Sequence, residues 1–206
     1  VVAALSSFAL ADASPFGRVE ACLLFTQLHN ATSNGVYRRI GFRSIEVDQE
    51  GGAFTFLVNG RRVFVKGANW IPDDHLMTRI TRGRLERRVD QALAANMNML
   101  RIWGGGIYES DDFYDVCDER GVMVWQDFAF ACAAYPEEEP FATEVAAEAA
   151  EAVTRLMPHP SLVFWCGNNE NLWGHADWGW AEVTQGRTWG EGFYLETLPE
   201  IVGRFD

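Results

Sequence analysis

The chain has 206 residues, 48% of them hydrophobic, enough to bury a sizeable core. Seventeen basic against 29 acidic residues leave a net charge of −12, which disfavours nucleic acid as a partner, because phosphate binding needs a basic stripe. Without any run of 18 apolar residues, no membrane-spanning helix is expected and the membrane is not a partner.

The first 60 residues read as strands. Segment 19–28 is apolar and β-rich, 29–35 is a turn cluster containing Asn34 and Gly35, and 36–47 resumes the pattern. Phe54, Phe56 and Val58 lead into Asn59 and Gly60, with 61–66 as the second arm of a hairpin. These are read as the last strands of a β-sandwich followed by an entry hairpin. Residues 30–32 match a glycosylation sequon, a triplet too common to weigh.

From residue 63 strands and helices alternate. A strand is predicted over 63–67 and a helix over 81–98, its stripe formed by Leu85, Val89 and Leu93. The next strand, 99–103, stops at Gly104, Gly105 and Gly106. Ser110 is placed to cap a helix with Asp111 and Asp112 in its first turn, and Gly121 to end it. Segment 122–125 is the third strand. Helix 143–157 carries Val145, Ala149, Val153 and Leu156 on one face, with Glu144, Glu148 and Glu151 as a solvated face. Segment 162–166 is the fourth strand, and 193–202 a last helix. This alternation implies a parallel sheet. A closed (β/α) barrel needs eight such units. Four leave two readings: the first half of a longer barrel, or a smaller open α/β sheet.

Cys22, Cys117, Cys132 and Cys166 lack C-x-x-C spacing, and His29, His75, His159 and His175 are scattered. Neither a zinc site nor a disulfide framework is expected, and the thiols are read as buried and free. The start resembles a signal core only faintly and has no basic flank. With Ala- and Arg-rich helices, that makes a cytoplasmic location the expectation. The missing initiator Met suggests a piece of a longer protein.

Each predicted strand ends in polar or aromatic residues: Asn69 and Trp70, then Arg101 and Trp103, then Gln126 and Asp127, then Asn169 and Glu170. The C-terminal rim of a parallel barrel is where chemistry is done. Eight Trp exceed what a plain core needs, and sugar faces stack on such rings. Glycoside hydrolysis uses two carboxyl groups, one of them an acid in an apolar setting. Glu170, flanked in sequence by Trp165, Leu172 and Trp173, suits that role. The second group is a nucleophile roughly 5–5.5 Å from the first in retaining enzymes. Asp127 is the internal rival, although so short a carboxylate would more simply bind a hydroxyl.

The motifs GANWIP at 67–72, LRIWGGGIYE at 100–109, VWQDF at 124–128 and WCGNNEN at 165–171 resemble the β-mannosidases of glycoside hydrolase family two. RRIGFR at 38–43 is similar to the end of that family's immunoglobulin-like domain. The resemblance implies that residues 1–47 close an immunoglobulin-like sandwich. It makes 48–206 strands one to four of a TIM barrel.

It further implies a retaining exo-glycosidase that removes terminal β-D-mannose from an oligosaccharide or glycan, without metal or organic cofactor. Glu170 would be its acid/base, and Asn169 the amide on the sugar 2-hydroxyl. Trp103 and Trp178 would touch substrate, Arg101 would lie under the site, and Asp127 would sit on the rim. Trp70 is a further candidate stacking ring. The family's nucleophilic Glu lies beyond Asp206, so this segment alone is expected to be inactive. Residues 1–35 and the Gly/Trp-rich loop 180–192 fit the family poorly. The alternatives are a family-two β-galactosidase or β-glucuronidase, against which Trp103 and Gly104–Gly106 speak, and a non-catalytic carbohydrate-binding fragment. The resemblance leaves the oligomeric state open.

Overall fold

The computed structural model describes residues 8–11, 19–22 and 40–204. The predicted strand beyond Cys22, the Asn34–Gly35 turn and the sequon at Asn30 lie outside the described residues. Two compact units meet at the peptide between Val65 and Lys66. The hairpin that the sequence reading attached to the barrel half therefore belongs with the first unit.

In that unit β1 (Phe8–Ala11), β2 (Val19–Cys22) and β3 (Ile40–Phe42) form one antiparallel sheet. β4 (Ile45–Asp48), β5 (Thr55–Val58) and β6 (Arg61–Val63) form another. Phe56 and Val58 alternate with less buried neighbours along β5, the period-two pattern of a sheet with one covered face. Asn59 and Gly60 both adopt positive φ, the two-residue turn whose twist matches a hairpin. Ser44 N–H bonds the Asn59 side-chain oxygen at 2.9 Å and pins that turn.

The second unit is built on four parallel strands in sequential order: β7 (Gly67–Trp70), β8 (Met99–Ile102), β9 (Met123–Asp127) and β10 (Leu162–Cys166). The first strand of this sheet was expected at 63–67; it lies at 67–70, where Gly67 pairs Met99 and Trp70 pairs Ile102. That shift matters, because it decides which residues face which side. Between the strands run α1 (Arg82–Ala94), α2 (Asp111–Arg120) and α3 (Phe141–Leu156).

The helices bury Leu85, Val89, Phe113, Tyr114, Val116 and Leu156 against Leu100, Ile102, Val124 and Leu162 of the sheet. Leu93 is exposed and Ala92 takes its place, since a 3.6-residue repeat drifts off a strict four-residue stripe. Ser110 occupies the N-cap of α2 through its backbone, without a side-chain capping bond, and Gly121 ends the helix in the left-handed region.

A second core joins α3 to the C-terminal part, where Phe193–Thr197 forms a π turn leading into α6 (Leu198–Gly203). Between them lie α4 (Asn171–Asp177) and α5 (Trp180–Thr184), so the expected loop 180–192 begins as a helix. Its Trp189 is a core residue, buried and stacked 4.0 Å from the His175 ring.

Candidate active site

The sheet's register sorts the predicted site residues. Trp70 aligns with Ile102 and then Gln126, on the side covered by helices. Its ring lies 4.9 Å from Phe113, and its indole N–H donates to Glu109 at 2.9 Å. Trp70 is thus a packing residue, and the expectation that it stacks substrate is corrected. Alternation put its neighbour on the open side. Asn69, Arg101, Trp125 and Phe164 share that side, with Arg101 5.2 Å over Trp125 and Trp125 4.7 Å from Phe164.

Beneath the strand ends Arg101 clamps Asp127 with Nε at 3.0 Å and Nη2 at 2.6 Å. Two more donors complete the cage. The Gly104 amide reaches Asp127 at 3.1 Å and the Trp125 indole N–H at 2.9 Å. With four hydrogen bonds received and its side chain shut off from solvent, Asp127 has no oxygen left for a sugar hydroxyl or for nucleophilic attack. The sequence reading placed it on the rim; it belongs to the floor. Burial alone would lower the Arg101 pKa, but the bonds to Asp127 outweigh it and hold the guanidinium above its ordinary value.

The glycine run follows from this packing. A Cβ on Gly104 would sit 2.5 and 2.6 Å from the Phe128 and Phe130 carbonyl oxygens. One on Gly105 would strike the Trp103 ring. Half-buried Trp103 thereby packs closely on the loop and lines a narrow crevice with Tyr108, Asp127 and Ala129.

Beyond β10, Asn169 is buried and joins residue 131 in a parallel bridge, donating its amide to the Phe130 carbonyl and accepting from the Cys132 amide. Its side-chain oxygen accepts from Arg101 Nη2 at 3.0 Å. Its side-chain nitrogen donates to the Cys132 sulfur at 3.4 Å, and that thiol donates to Glu170 Oε2 at 3.3 Å.

Glu170 itself is exposed and left-handed, φ 67° and ψ 0°, as the N-cap of α4. So uncommon a backbone for a carboxylate marks a position worth its strain. Of the apolar residues expected to flank it, Trp165 stacks inward on Phe128 at 4.9 Å, while Leu172 and Trp173 are exposed. Trp178, at the other end of α4, is 46% exposed and forms ring pairs with Trp173 and Trp180 at 5.7 and 5.8 Å. The structure therefore links Arg101, Asp127, Asn169 and Glu170. Trp103 borders them, and Trp178 belongs to a separate aromatic group.

Sequence reasoning missed Cys132. Read as one more buried thiol, it is exposed and, like Glu170, left-handed, at φ 51°. Cys166 is half-buried, and Cys117 alone among these three is fully buried. Burial, then the Glu170 bond, push the Cys132 thiol pKa up against an opposing pull from Asn169, so the group keeps its proton at neutral pH.

Among the described residues one set of side chains has metal-like grouping, Asp115, Asp118 and His159. It precedes β10, at the end of the strand opposite Glu170. His159 Nδ1 lies 2.7 Å from Asp118, which also accepts the Ser161 amide at 2.8 Å. That is a hydrogen-bonded strut between α2 and the turn into β10.

No family model matches the chain. Over 139 residues it is 48% identical to a β-mannosidase of Capra hircus, covering 65% of this chain and 16% of that protein. Over 140 residues it is 44% identical to β-mannosidase B of Emericella nidulans, covering 66% and 17%. The chain thus spans about a sixth of the length of the curated relatives it matches. A crystal structure of β-D-mannosidase from Dictyoglomus thermophilum superposes with a TM-score of 0.77 at 48% identity, over 83% of this chain and 21% of that one. A β-glucuronidase structure from Parabacteroides merdae matches at a TM-score of 0.57 and 24% identity, over 66% and 16%, a likeness of fold alone. The fold is α/β: strands β7 to β10 are the first half of a (β/α)8 barrel, preceded by β-sandwich strands.

Proposed function

We propose, of a chain that belongs to the β-mannosidases of glycoside hydrolase family two, that its whole protein is a retaining exo-glycosidase cleaving terminal, non-reducing β-D-mannose from a glycan. Glu170 serves as acid/base, and the nucleophile is carried outside these 206 residues. The observation that carries this reading is the placement of Glu170. It stands exposed past the C-terminal end of β10, while the residue before it is fixed to the part-buried Arg101–Asp127 pair.

The chemistry then runs in two steps. The Glu170 carboxyl gives its proton to the glycosidic oxygen as the C–O bond breaks and the nucleophile bonds the anomeric carbon. The resulting carboxylate takes a proton from water, whose oxygen displaces the nucleophile. Asn169 spends its oxygen on Arg101 and one N–H on Cys132, which leaves the second N–H for the sugar 2-hydroxyl. Asp127 cannot act as nucleophile, because all its acceptor capacity is engaged on four donors. Trp103 borders the same floor and offers the sugar a ring face.

Hydrolysis of 4-nitrophenyl β-D-mannoside, with the galactoside and glucuronide beside it, tests this. The full-length protein is expected to turn over the mannoside preferentially, and the 206-residue chain to be at least about 10³-fold slower, the scale of losing a nucleophile. Equal activity in the short chain would mean that a second carboxylate lies within it. Preference for the galactoside or glucuronide would move the protein to another specificity.

A further inference from the structure

We infer that Cys132 is a positioning residue for the acid/base step, its thiol holding the Glu170 carboxylate in register with Asn169 and the part-buried Arg101–Asp127 pair. This rests on Glu170 being the acid/base.

The direction of each hydrogen bond is forced. Arg101 can only donate, so the Asn169 side chain must turn its oxygen to Nη2, 3.0 Å away. That turns the Asn169 amide nitrogen to the Cys132 sulfur, 3.4 Å away, where it can only donate. The sulfur accepts, and its own hydrogen is left for Glu170 Oε2 at 3.3 Å. A serial arrangement results, from the buried Asp127 through Arg101, Asn169 and the thiol to an exposed carboxylate. The guanidinium at its root keeps its charge, and the raised thiol pKa keeps the proton the last link needs.

The backbone is committed to this aim. Cys132 and Glu170 both occupy the left-handed region, which L residues with a side chain adopt at a cost. The two segments are locked by the bridge between Ala131 and Asn169, with the Asn169 amide 2.9 Å from the Phe130 carbonyl and the Cys132 amide 3.1 Å from the Asn169 carbonyl. Ala133 N–H bonds the Asn171 side chain at 3.2 Å, and Asn171 in turn donates to the Tyr194 hydroxyl at 2.8 Å. Both sides of the thiol are thus fixed, and the side chain between them touches Asn169 and Glu170 at once. Without it, no protein donor among the described residues holds that oxygen of the exposed Glu170, and its rotamers spread.

The test uses the full-length protein and two substrates that differ in how much acid they need. β-1,4-Mannobiose has an alkoxide leaving group and requires protonation, whereas 2,4-dinitrophenyl β-D-mannoside departs without it. For Cys132→Ala, kcat/KM on mannobiose should fall about tenfold or more, the equivalent of one lost hydrogen bond, and on the dinitrophenyl substrate by less than about twofold. Cys132→Ser, which keeps a donor, should recover part of the mannobiose loss. Cys132→Gly removes the thiol while suiting the left-handed backbone, so it should match Cys132→Ala if folding is not the cause.

Glu170→Gln separates the two readings. It should lose about 10²–10⁴-fold on mannobiose and far less on the dinitrophenyl substrate. Equal losses on both substrates for Glu170→Gln would overturn the acid/base reading. Discrimination by Glu170→Gln, but equal or negligible losses for Cys132→Ala and Cys132→Gly, would overturn the role of Cys132 alone.

Discussion

Asp127 accepts four hydrogen bonds and is closed to solvent, whereas Glu170, at the end of the neighbouring strand, stands exposed with a thiol on one oxygen. Both are carboxylates at C-terminal strand ends, and from sequence both look like rim residues. The number of donors aimed at each separates them. A carboxylate caged by an Arg fork, an indole and a backbone amide is a structural anion that sets the floor. One with unspent acceptor capacity and solvent access can exchange a proton. Position on a barrel rim therefore nominates a residue, and its hydrogen bonds decide its task.

The comparison breaks most visibly at the floor. In Asp127→Asn an amide N–H must face one of four donors, and Arg101 loses its counter-charge. About 3 kcal/mol of stability should disappear, read as a lower urea midpoint. Gly104→Ala pushes a methyl against the Phe128 and Phe130 carbonyl oxygens. Roughly 1–3 kcal/mol should be lost, with the Asp127 cage disturbed as well.

Glu109, the acceptor for Trp70 behind the sheet, sharpens the contrast through pH. Burial, with Asp73 adding, raises its pKa against the pull of the Trp70 and Ser110 N–H groups. A raised folded pKa means that its contribution to stability is fully present below the unfolded value near about 4.3. It is lost as pH rises through the folded pKa. Glu109→Gln keeps an oxygen for Trp70 and removes that slope, so it should gain on the wild type as pH is raised from acid toward neutral in paired unfolding curves. The smallest effect belongs to the exposed aromatic group. Trp178→Ala should cost roughly 0.5–1 kcal/mol through its ring pairs with Trp173 and Trp180, while raising KM in the full-length protein.

Much of this was legible beforehand. Strand–helix alternation gave the parallel sheet, Gly121 and the Asn59–Gly60 turn fell where backbone chemistry requires, and Glu170 followed the fourth strand. What failed has common causes. Placing the first strand at 63–67 rather than 67–70 hid the alternation that turns Asn69 to the open side and Trp70 toward the helices. Asp127 was misplaced because its donors come from residues 101, 104 and 125, and their convergence depends on cross-strand register that no local pattern encodes. Cys132 was invisible for the same reason: its partners lie 37 and 38 residues away, reached through a bridge and a left-handed turn. The apolar neighbours of Glu170 in sequence turned out to point elsewhere, Trp165 into the core and Trp173 to solvent.

The most direct test of this account is turnover of 4-nitrophenyl β-D-mannoside by full-length Glu170→Gln at an unchanged urea midpoint. The account predicts a stability change within about 0.5 kcal/mol, as for an exposed side chain, together with a fall in kcat of about 10²–10⁴-fold. A stable variant that still hydrolyses the mannoside at the wild-type rate would contradict it, and Glu170 would then be an ordinary surface carboxylate.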